Sequence, residues 1–544
     1  MGDKKTDEDE IENDLDFVLS DVGEFGKYQI GHCILMILPI ILSATYAVEF
    51  IVTSSTDDYR CLISECESSN TTSYNQDWLS YAIPLKNGRP EKCSRYAGLQ
   101  HPTESQPGQC SKNLFDESKI VQCSEYVFKS DEYRIMREFD ILCDENEYKL
   151  AMVGTINNIG GFLFMPLTGI LSDKFGRLTI LICGTVGCAI FGLIKAFIGS
   201  YTFYMIFEFL GAAVGTTCYM AAFVLWVEWV SSKYRILSST LIAAIYPGGE
   251  VLMGAAAIFL QNYRTFLVAI YTPALLTVWY FWLVPESVRW LIATGKYDRA
   301  MKILKCTARQ NKRQISEKTL EIVRSYCNNV KGSGRCKADC SSVTTIFQHK
   351  VLIFRLIMCS MCWIMTVFVF FGLSVNATKI TDDSNKYLSY ITTMISEVPA
   401  AIITFFLLKY IGRRTAMCCA LATAGSATIL STFVPTTYTY TLIIRRIMFF
   451  IGMCSTSSAF AVLYVFSAEI WPTPMRNTLM NICSMIGRFG SMLAPLAILL
   501  SHYMPNLPLL LFGTAAILSG FIIFTLPETK DKKLPHTIKD AIEL

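Results

Sequence analysis

Charge is what this sequence has little of. Only 17% of its 544 residues are Asp, Glu, Lys or Arg, against about 25% in soluble domains, which excludes a soluble enzyme of ordinary composition. Lys plus Arg number 48 and Asp plus Glu 45, so no basic excess is present to hold nucleic acid. Five histidines argue against a multi-histidine metal centre. There is no HExxH motif, no paired zinc-ligand spacing and no nucleophile–base spacing; no catalytic residue, metal or cofactor is expected. Residues 1–27 lack a basic n-region, an apolar core and a small-residue cleavage site, so no removable signal peptide is expected and the first apolar block is read as the insertion signal.

Apolar residues are what remains. They make up 52% of the chain, and mean hydropathy is +0.38. Twelve apolar blocks, at about 28–51, 149–171, 178–199, 202–226, 237–259, 264–284, 350–373, 387–408, 415–434, 440–467, 478–500 and 507–526, each approach the ~20 residues that a spanning helix needs. They fall as six and six around a polar stretch, the layout of a transporter made of two six-helix halves. The expected fold is therefore an all-α membrane protein of twelve transmembrane helices. Its parts are a tail (1–27), an N-terminal half (28–284) containing a long loop (52–148), a central loop (285–349), a C-terminal half (350–526) and a second tail (527–544). Basic residues cluster in alternate short turns, at Lys174, Arg177, Lys233, Arg235, Lys409, Arg413, Arg414 and Arg476, and throughout 285–349. The positive-inside rule then places both termini in the cytoplasm.

In that orientation 52–148 lies outside the cell. It carries Cys61, Cys66, Cys93, Cys110, Cys123 and Cys143, an even number in an oxidising compartment, and is read as a disulfide-stapled ectodomain. Six cysteines allow 15 pairings, among which spacing does not choose. Asn70-Thr71-Thr72 in this loop and Asn376-Ala377-Thr378 beyond the seventh span are sequons, so Asn70 and Asn376 are candidate glycosylation sites.

Two turns repeat between the halves. Gly169-Ile-Leu-Ser-Asp173-Lys174-Phe-Gly176-Arg177 follows the second block, and Lys409-Tyr-Ile-Gly412-Arg413-Arg414 follows the eighth. Each packs a tight-turn glycine and an arginine where a latch between helix ends is needed. Lys409 replaces the acid of the first copy, so its arginine must borrow one, with Glu469 and Glu528 the nearest in kind. Pro285-Glu286-Ser-Val-Arg289-Trp290-Leu291, Glu469-Ile-Trp-Pro472-Thr473-Pro-Met-Arg476 and Pro527-Glu528-Thr529-Lys530 follow the sixth, tenth and twelfth blocks. With the long cysteine-bearing loop, these turns closely resemble those of the organic cation, anion and zwitterion transporters of the major facilitator superfamily. Sugar porters share several of the turns but generally lack the large first ectodomain. The resemblance implies alternating-access carriage of a small charged organic solute across the plasma membrane, with lipid as the surrounding partner and no nucleic acid. It also implies a cytoplasmic gate at Asp173, Gly176, Arg177, Glu228, Arg235, Glu286, Arg289, Gly412, Arg413, Arg414, Glu469 and Arg476. Neither a coupling ion nor an oligomeric state is indicated.

Ionisable residues inside spans are costly and mark function. Glu397 and Arg488 each lie about ten residues into a span of the second half, ~15 Å deep at ~1.5 Å per residue. Arg488 suits a carboxylate gripped by two hydrogen bonds and Glu397 suits a cationic head group; a mutual ion pair is the alternative. Tyr464, Tyr246, Trp363, Phe370 and Phe371 are candidates for an aromatic cage around a cation. Within the family the combination looks most like the organic cation and carnitine branch, with an organic anion carrier, favoured by Arg488 and Arg445-Arg446, or a transport-inactive receptor as alternatives. Glu208 stands where the family usually has arginine, and Glu250 has no matching acid among the relatives. The latter is read as reaching to the outer surface or as a proton or cation site.

Overall fold

The computed structural model describes residues 16–67, 73–86, 89–99, 110, 112–332, 349–378, 386–435, 438–471 and 476–530, with 532, 535, 541 and 542. Each apolar block forms a helix, because in hydrocarbon every backbone N–H and C=O must be satisfied within the segment. Eleven helices among the described residues are long and apolar enough to cross a membrane. They are α1 (Lys27–Thr53), α2 (Tyr148–Phe175), α3 (Arg177–Phe197), α4 (Tyr201–Trp229), α5 (Ser232–Phe259), α6 (Tyr263–Leu283), α7 (Lys350–Asn376), α8 (Lys386–Tyr410), α9 (Arg413–Phe433), α10 (Thr439–Ile470) and α11 (Arg476–Ala497). A shorter apolar helix, α12 (Leu507–Ile523), follows and brings the bundle to the twelve expected.

Packing repeats between the halves. In the first, α4 lies against α2 and α3, α1 against α5, and α3 against α6; in the second, α10 lies against α8 and α9, α7 against α11, and α9 against α12. The halves meet along two seams, α2 with α11 and α5 with α8. Small residues permit close approach where helices cross. A Cβ on Gly490 of α11 would stand 2.2 Å from the carbonyl oxygen of Ile364 in α7, so no larger residue fits there.

Helix α8 is broken. It runs as Lys386–Ile395 and Glu397–Tyr410. Pro399 has no N–H for the carbonyl of Ile395 and its ring crowds that carbonyl, which interrupts the helix just upstream. Glu397 thereby falls in the first turn of the second segment, where free backbone N–H groups favour negative charge.

Among the described residues, the loop between α1 and α2 holds three two-stranded antiparallel sheets, pairing Tyr59–Cys61 with Tyr126–Phe128, Leu85–Lys86 with Arg89–Pro90, and Ser94–Gly98 with Phe115–Gln122. Its small core of Cys61, Ile63, Ala82, Ile83 and Phe115 is slight for so many residues, and disulfides supply the remaining constraint. They join Cys61 to Cys123, Cys66 to Cys110 and Cys93 to Cys143. The end of the bundle carrying this loop is called here the disulfide end and the opposite one the basic end. At the basic end, helices Val288–Ala293, Tyr297–Gln310 and Glu317–Gly332 bury Val288, Leu291, Leu304 and Val323 against Val18 and Val22 of the N-terminal segment. Asp21 joins them by accepting from the backbone N of Ser316 at 2.8 Å and from Thr319 Oγ1 at 2.7 Å.

Peptide mapping under non-reducing conditions is expected to recover the three cystine pairs 61–123, 66–110 and 93–143; any other pairing contradicts this loop structure.

Candidate functional site

The ionisable groups inside the spans sort into three sets, each forced by the cost of leaving a charge unpartnered in low dielectric. The first lies between the halves. Glu397 does not pair with Arg488; its carboxyl comes within hydrogen-bonding reach of that of Glu250 in α5. Glu250 is 2% exposed and therefore does not reach the outer surface as one sequence reading had it. The approach follows from the α5–α8 seam and from the break that turns Glu397 into it.

Arg488 is the second set. Its guanidinium forms no ion pair and no hydrogen bond among the described residues and is half-buried. Its charge acts on the hydroxyls of Tyr464 in α10 and Tyr246 in α5. Tyr246 packs edge-on against Tyr219 of α4 at 5.3 Å, and Tyr219 in turn lies near Tyr464 across the seam. Tyr464 is 37% exposed, its ring held edge-on by Phe460 at 5.3 Å and Trp363 at 4.6 Å. The result is an unpaired arginine among tyrosines contributed by both halves. The other aromatic residues of the expected cage are placed as follows. Trp363 is 1% exposed and its Nε1 donates to Ser467 Oγ at 2.9 Å, so it backs Tyr464 instead of lining the site. Phe370 stacks on Phe460 at 5.4 Å, and Phe371 meets Phe370 edge-on at 5.5 Å; Phe460 and Tyr219 were not anticipated. Arg445 donates to Asn506 Oδ1 at 3.2 Å, near the first turns of α10 and α12 at the disulfide end, so Arg445-Arg446 does not edge this site.

The third set fills the first half near the disulfide end and was missed from sequence except for Glu208. Lys195 of α3 bonds to Glu49 of α1 and, at 2.5 Å, to Glu208 of α4. Asn157 of α2 donates to the other oxygen of Glu208 at 2.7 Å. Tyr204 and Tyr271 face the ammonium with ring centroids 5.4 and 5.5 Å away. All three charged groups are at most 2% exposed. The cluster ties α1, α2, α3 and α4 together, and the acid at 208 is matched by a lysine on the neighbouring helix. Glu49 and Lys195 were visible as charges within apolar blocks, a signal that was available.

At the basic end the two turns are built alike. Gly176 and Gly412 have φ of +102° and +112°, a backbone that L side chains rarely adopt, and each starts a helix over a carboxylate. Glu286 accepts from the backbone N of Arg177 at 3.1 Å and of Leu178 at 3.2 Å. Glu528 accepts from Arg413 at 2.9 Å, Arg414 at 3.1 Å and Lys530 at 3.1 Å. The turn arginines have matching partners, Arg177 with Glu228 at 3.3 Å and Arg413 with Glu469 at 3.0 Å. The second turn thus borrows both acids, and Asp173, 2.9 Å from Arg177, is an extra contact of the first. Arg289 pairs with Asp16, and Arg414 donates to Leu526 O at 3.3 Å. The side chains of Arg235 and Arg476 lie outside the described residues, as does Asn70. Asn376 is 7% exposed and donates to Gly372 O at 3.0 Å.

Burial pushes the Glu286 carboxyl up, against the pull of its backbone donors and Arg177. Glu528 is also penalised by burial, but four backbone N–H donors outweigh that and hold it below the usual carboxylate range.

Across the disulfide end the halves are clasped. Glu132, in the loop, binds Lys386 at 2.8 Å and accepts from the Tyr387 hydroxyl at 2.7 Å, while Arg134 Nη2 donates to that hydroxyl at 3.0 Å. Thr155 of α2 donates to Met492 O of α11 at 3.1 Å. The ion pairs of the basic-end turns, among the described residues, stay within their own half.

Two repeated six-helix halves enclosing a charged, aromatic-lined site define a multi-pass membrane transporter. The sequence pattern of the sugar (and other) transporter family matches residues 112–539. Organic anion transporter 3 of Rattus norvegicus is 31% identical over 527 residues, covering 96% of this chain and 94% of that one. The organic cation transporter protein of Drosophila melanogaster is 28% identical over 535 residues, 97% and 94% of the two chains. Among solved structures, the partially occluded inward-open xylose transporter XylE from E. coli superposes with a TM-score of 0.60 at 15% identity, over 93% of this chain and all of that one. The chain belongs to the sugar (and other) transporter family of the major facilitator superfamily, and is a transporter of the solute carrier family 22 type.

Two outcomes follow. Lys195→Met leaves two buried acids without their cation and is expected to destabilise the protein by about 3–5 kcal/mol, read as a lowered unfolding temperature in detergent that is restored when Glu49→Gln and Glu208→Gln are added; unchanged stability of the single variant contradicts the cluster. The depressed carboxyl of Glu528 stabilises above the ordinary carboxylate range and loses this only as pH falls through its lowered value, whereas the raised carboxyl of Glu286 is neutralised first. On acidification, hydrogen exchange corrected for intrinsic rates is expected to rise at Arg177 and Leu178 before it rises at Arg413 and Arg414; the reverse order contradicts the assignment.

Proposed function

We propose that the chain carries small organic solutes bearing a carboxylate across the plasma membrane by alternating access, with both termini cytoplasmic and Arg488 as the anchor. One observation carries this reading: Arg488 is a permanent cation in the central site, and no carboxylate among the described residues is bound to it. Guanidinium binds carboxylate through two parallel hydrogen bonds, and Tyr464 and Tyr246 offer ring faces and hydroxyls beside it. The organic anion transporters among the relatives support the same class. Rocking of the halves about the α2–α11 and α5–α8 seams would part the clasp of Glu132, Arg134, Lys386 and Tyr387. The turns at Gly176 and Gly412 hold together the helix ends of one half each, so each half moves as a unit and these residues serve as the inner gate.

A second reading, a carnitine-like zwitterion or an organic cation, is favoured by the carboxyls of Glu397 and Glu250 close to the same cavity. A cationic head group facing that pair with a carboxylate on Arg488 satisfies both charges.

Cells expressing the chain are expected to accumulate labelled para-aminohippurate in preference to tetraethylammonium. Arg488→Ala, at equal surface expression, is expected to lose about 1.5–3 kcal/mol of a charged hydrogen bond, roughly 10- to 100-fold in apparent affinity for the anion. Uptake of tetraethylammonium with none of the anion overturns the first reading; carnitine uptake sensitive to both Arg488→Ala and Glu397→Gln supports the second.

A further inference from the structure

Glu250 and Glu397 belong to different halves, on α5 and α8, and bring two carboxyls together inside the membrane. Glu250 Oε2 and Glu397 Oε1 are buried and accept no hydrogen bond from any N–H or O–H among the described residues. No lysine or arginine among the described residues forms an ion pair with either. A second observation points into the same place: Tyr390 of α8 is fully buried, its hydroxyl has no partner, and it lies close to both carboxyls. Its ring edge would stand 3.0 Å from a Cβ on Gly254 of α5, so it is wedged in the seam between the halves.

The groups surrounding the pair are few. Tyr246 comes from α5 itself, Tyr390 from α8 and Tyr219 from α4. Tyr464 of α10 and Arg488 of α11 stand further across the cavity, where they act on the tyrosines. Helix α1 meets α5 here through Ile41 and Ala44, neither of which titrates. Among the described residues, nothing in this shell donates a full positive charge to the two acids.

Two carboxylates in contact away from water repel by several kilocalories per mole, and one proton shared as O–H···O⁻ turns that repulsion into a strong hydrogen bond. We propose that Glu250 and Glu397 form a proton-binding site whose shared proton joins the two halves, so that the transport cycle is linked to proton binding. The proton enters from solvent when the carboxyls stand apart and hydrated; closing the α5–α8 seam traps it between them. When the seam opens, each carboxylate regains water and the proton returns to solvent. Low pH fills the site and favours the arrangement described here, with the disulfide end clasped; rising pH empties it and favours separation. This coupling does not depend on which solute is carried.

The test needs no solute. The full-length protein in lipid nanodiscs is titrated from mildly acidic to mildly alkaline pH while infrared spectra follow the C=O stretch of protonated carboxyls, in the native chain and in Glu250→Gln, Glu397→Gln and Glu208→Gln. The expected result is a titrating component that is present in the native protein and in Glu208→Gln and lost from both other variants. Should one of the two fail to fold, the other reports on the same component. Retention of the component in Glu250→Gln or in Glu397→Gln overturns the proposal, as does a native spectrum that responds to sodium and not to pH. In cells, the same loss is expected to flatten the pH profile of uptake in Glu250→Gln; a profile identical to that of the native chain also overturns it.

Discussion

A charge drawn into a bilayer must find a partner, and the structure is organised around that requirement. In the first half the debt of Glu49 and Glu208 is met by Lys195 and Asn157, which pull four helices into one unit. Breaking such a set by removing one member costs far more than the set contributes as a whole, so the cluster acts as a fastener that holds a geometry. In the seam the acids approach each other. In the second half Arg488 meets no carboxylate among the described residues. Pairing thus falls off from the scaffold of a half to the cavity between halves, and the proposed function rests on the unpaired end.

The same logic distinguishes contacts within a half from those between halves. Contacts within a half are repeated, Arg177–Glu228 over Glu286 in one and Arg413–Glu469 over Glu528 in the other. Polar contacts between the halves do not repeat in this way; they include a clasp of Glu132, Arg134, Lys386 and Tyr387, a Thr155–Met492 hydrogen bond and the Glu250–Glu397 approach. The seams also carry apolar packing, as where Phe162 of α2 meets Phe489 of α11 with ring centroids 5.2 Å apart. Alternating access needs such a division, since packed units exchange between discrete arrangements and do not deform continuously.

Much of this was legible in the sequence. Spans and the six-plus-six division follow from hydropathy, because lipid imposes length and composition on every helix. The paired glycine–arginine turns were readable as a repeat, and Pro399 beside Glu397 carried the signal for the broken helix. What was not legible depends on adjacency that no local pattern encodes. Glu397 belongs with Glu250 only because α5 lies on α8. Trp363 turned out to support Tyr464 because its indole is captured by Ser467, and Phe460 and Tyr219 enter the site through packing alone. The clasp at the disulfide end is made by loop residues with no periodicity at all. Cystine pairing lay beyond sequence for the same reason, because it depends on which loop segments lie side by side.

The central claim is the proposal that Arg488, without an ion-pair partner among the described residues, is the cation that meets the solute. A cryo-electron microscopy map of the full chain with a bound aromatic carboxylate tests it most directly. The expected map places the carboxylate within hydrogen-bonding distance of the Arg488 guanidinium, with its ring between Tyr464 and Tyr246 and with Glu250 still against Glu397. A map in which Arg488 is paired with Glu397 or Glu250 and the ligand lies elsewhere would contradict the account.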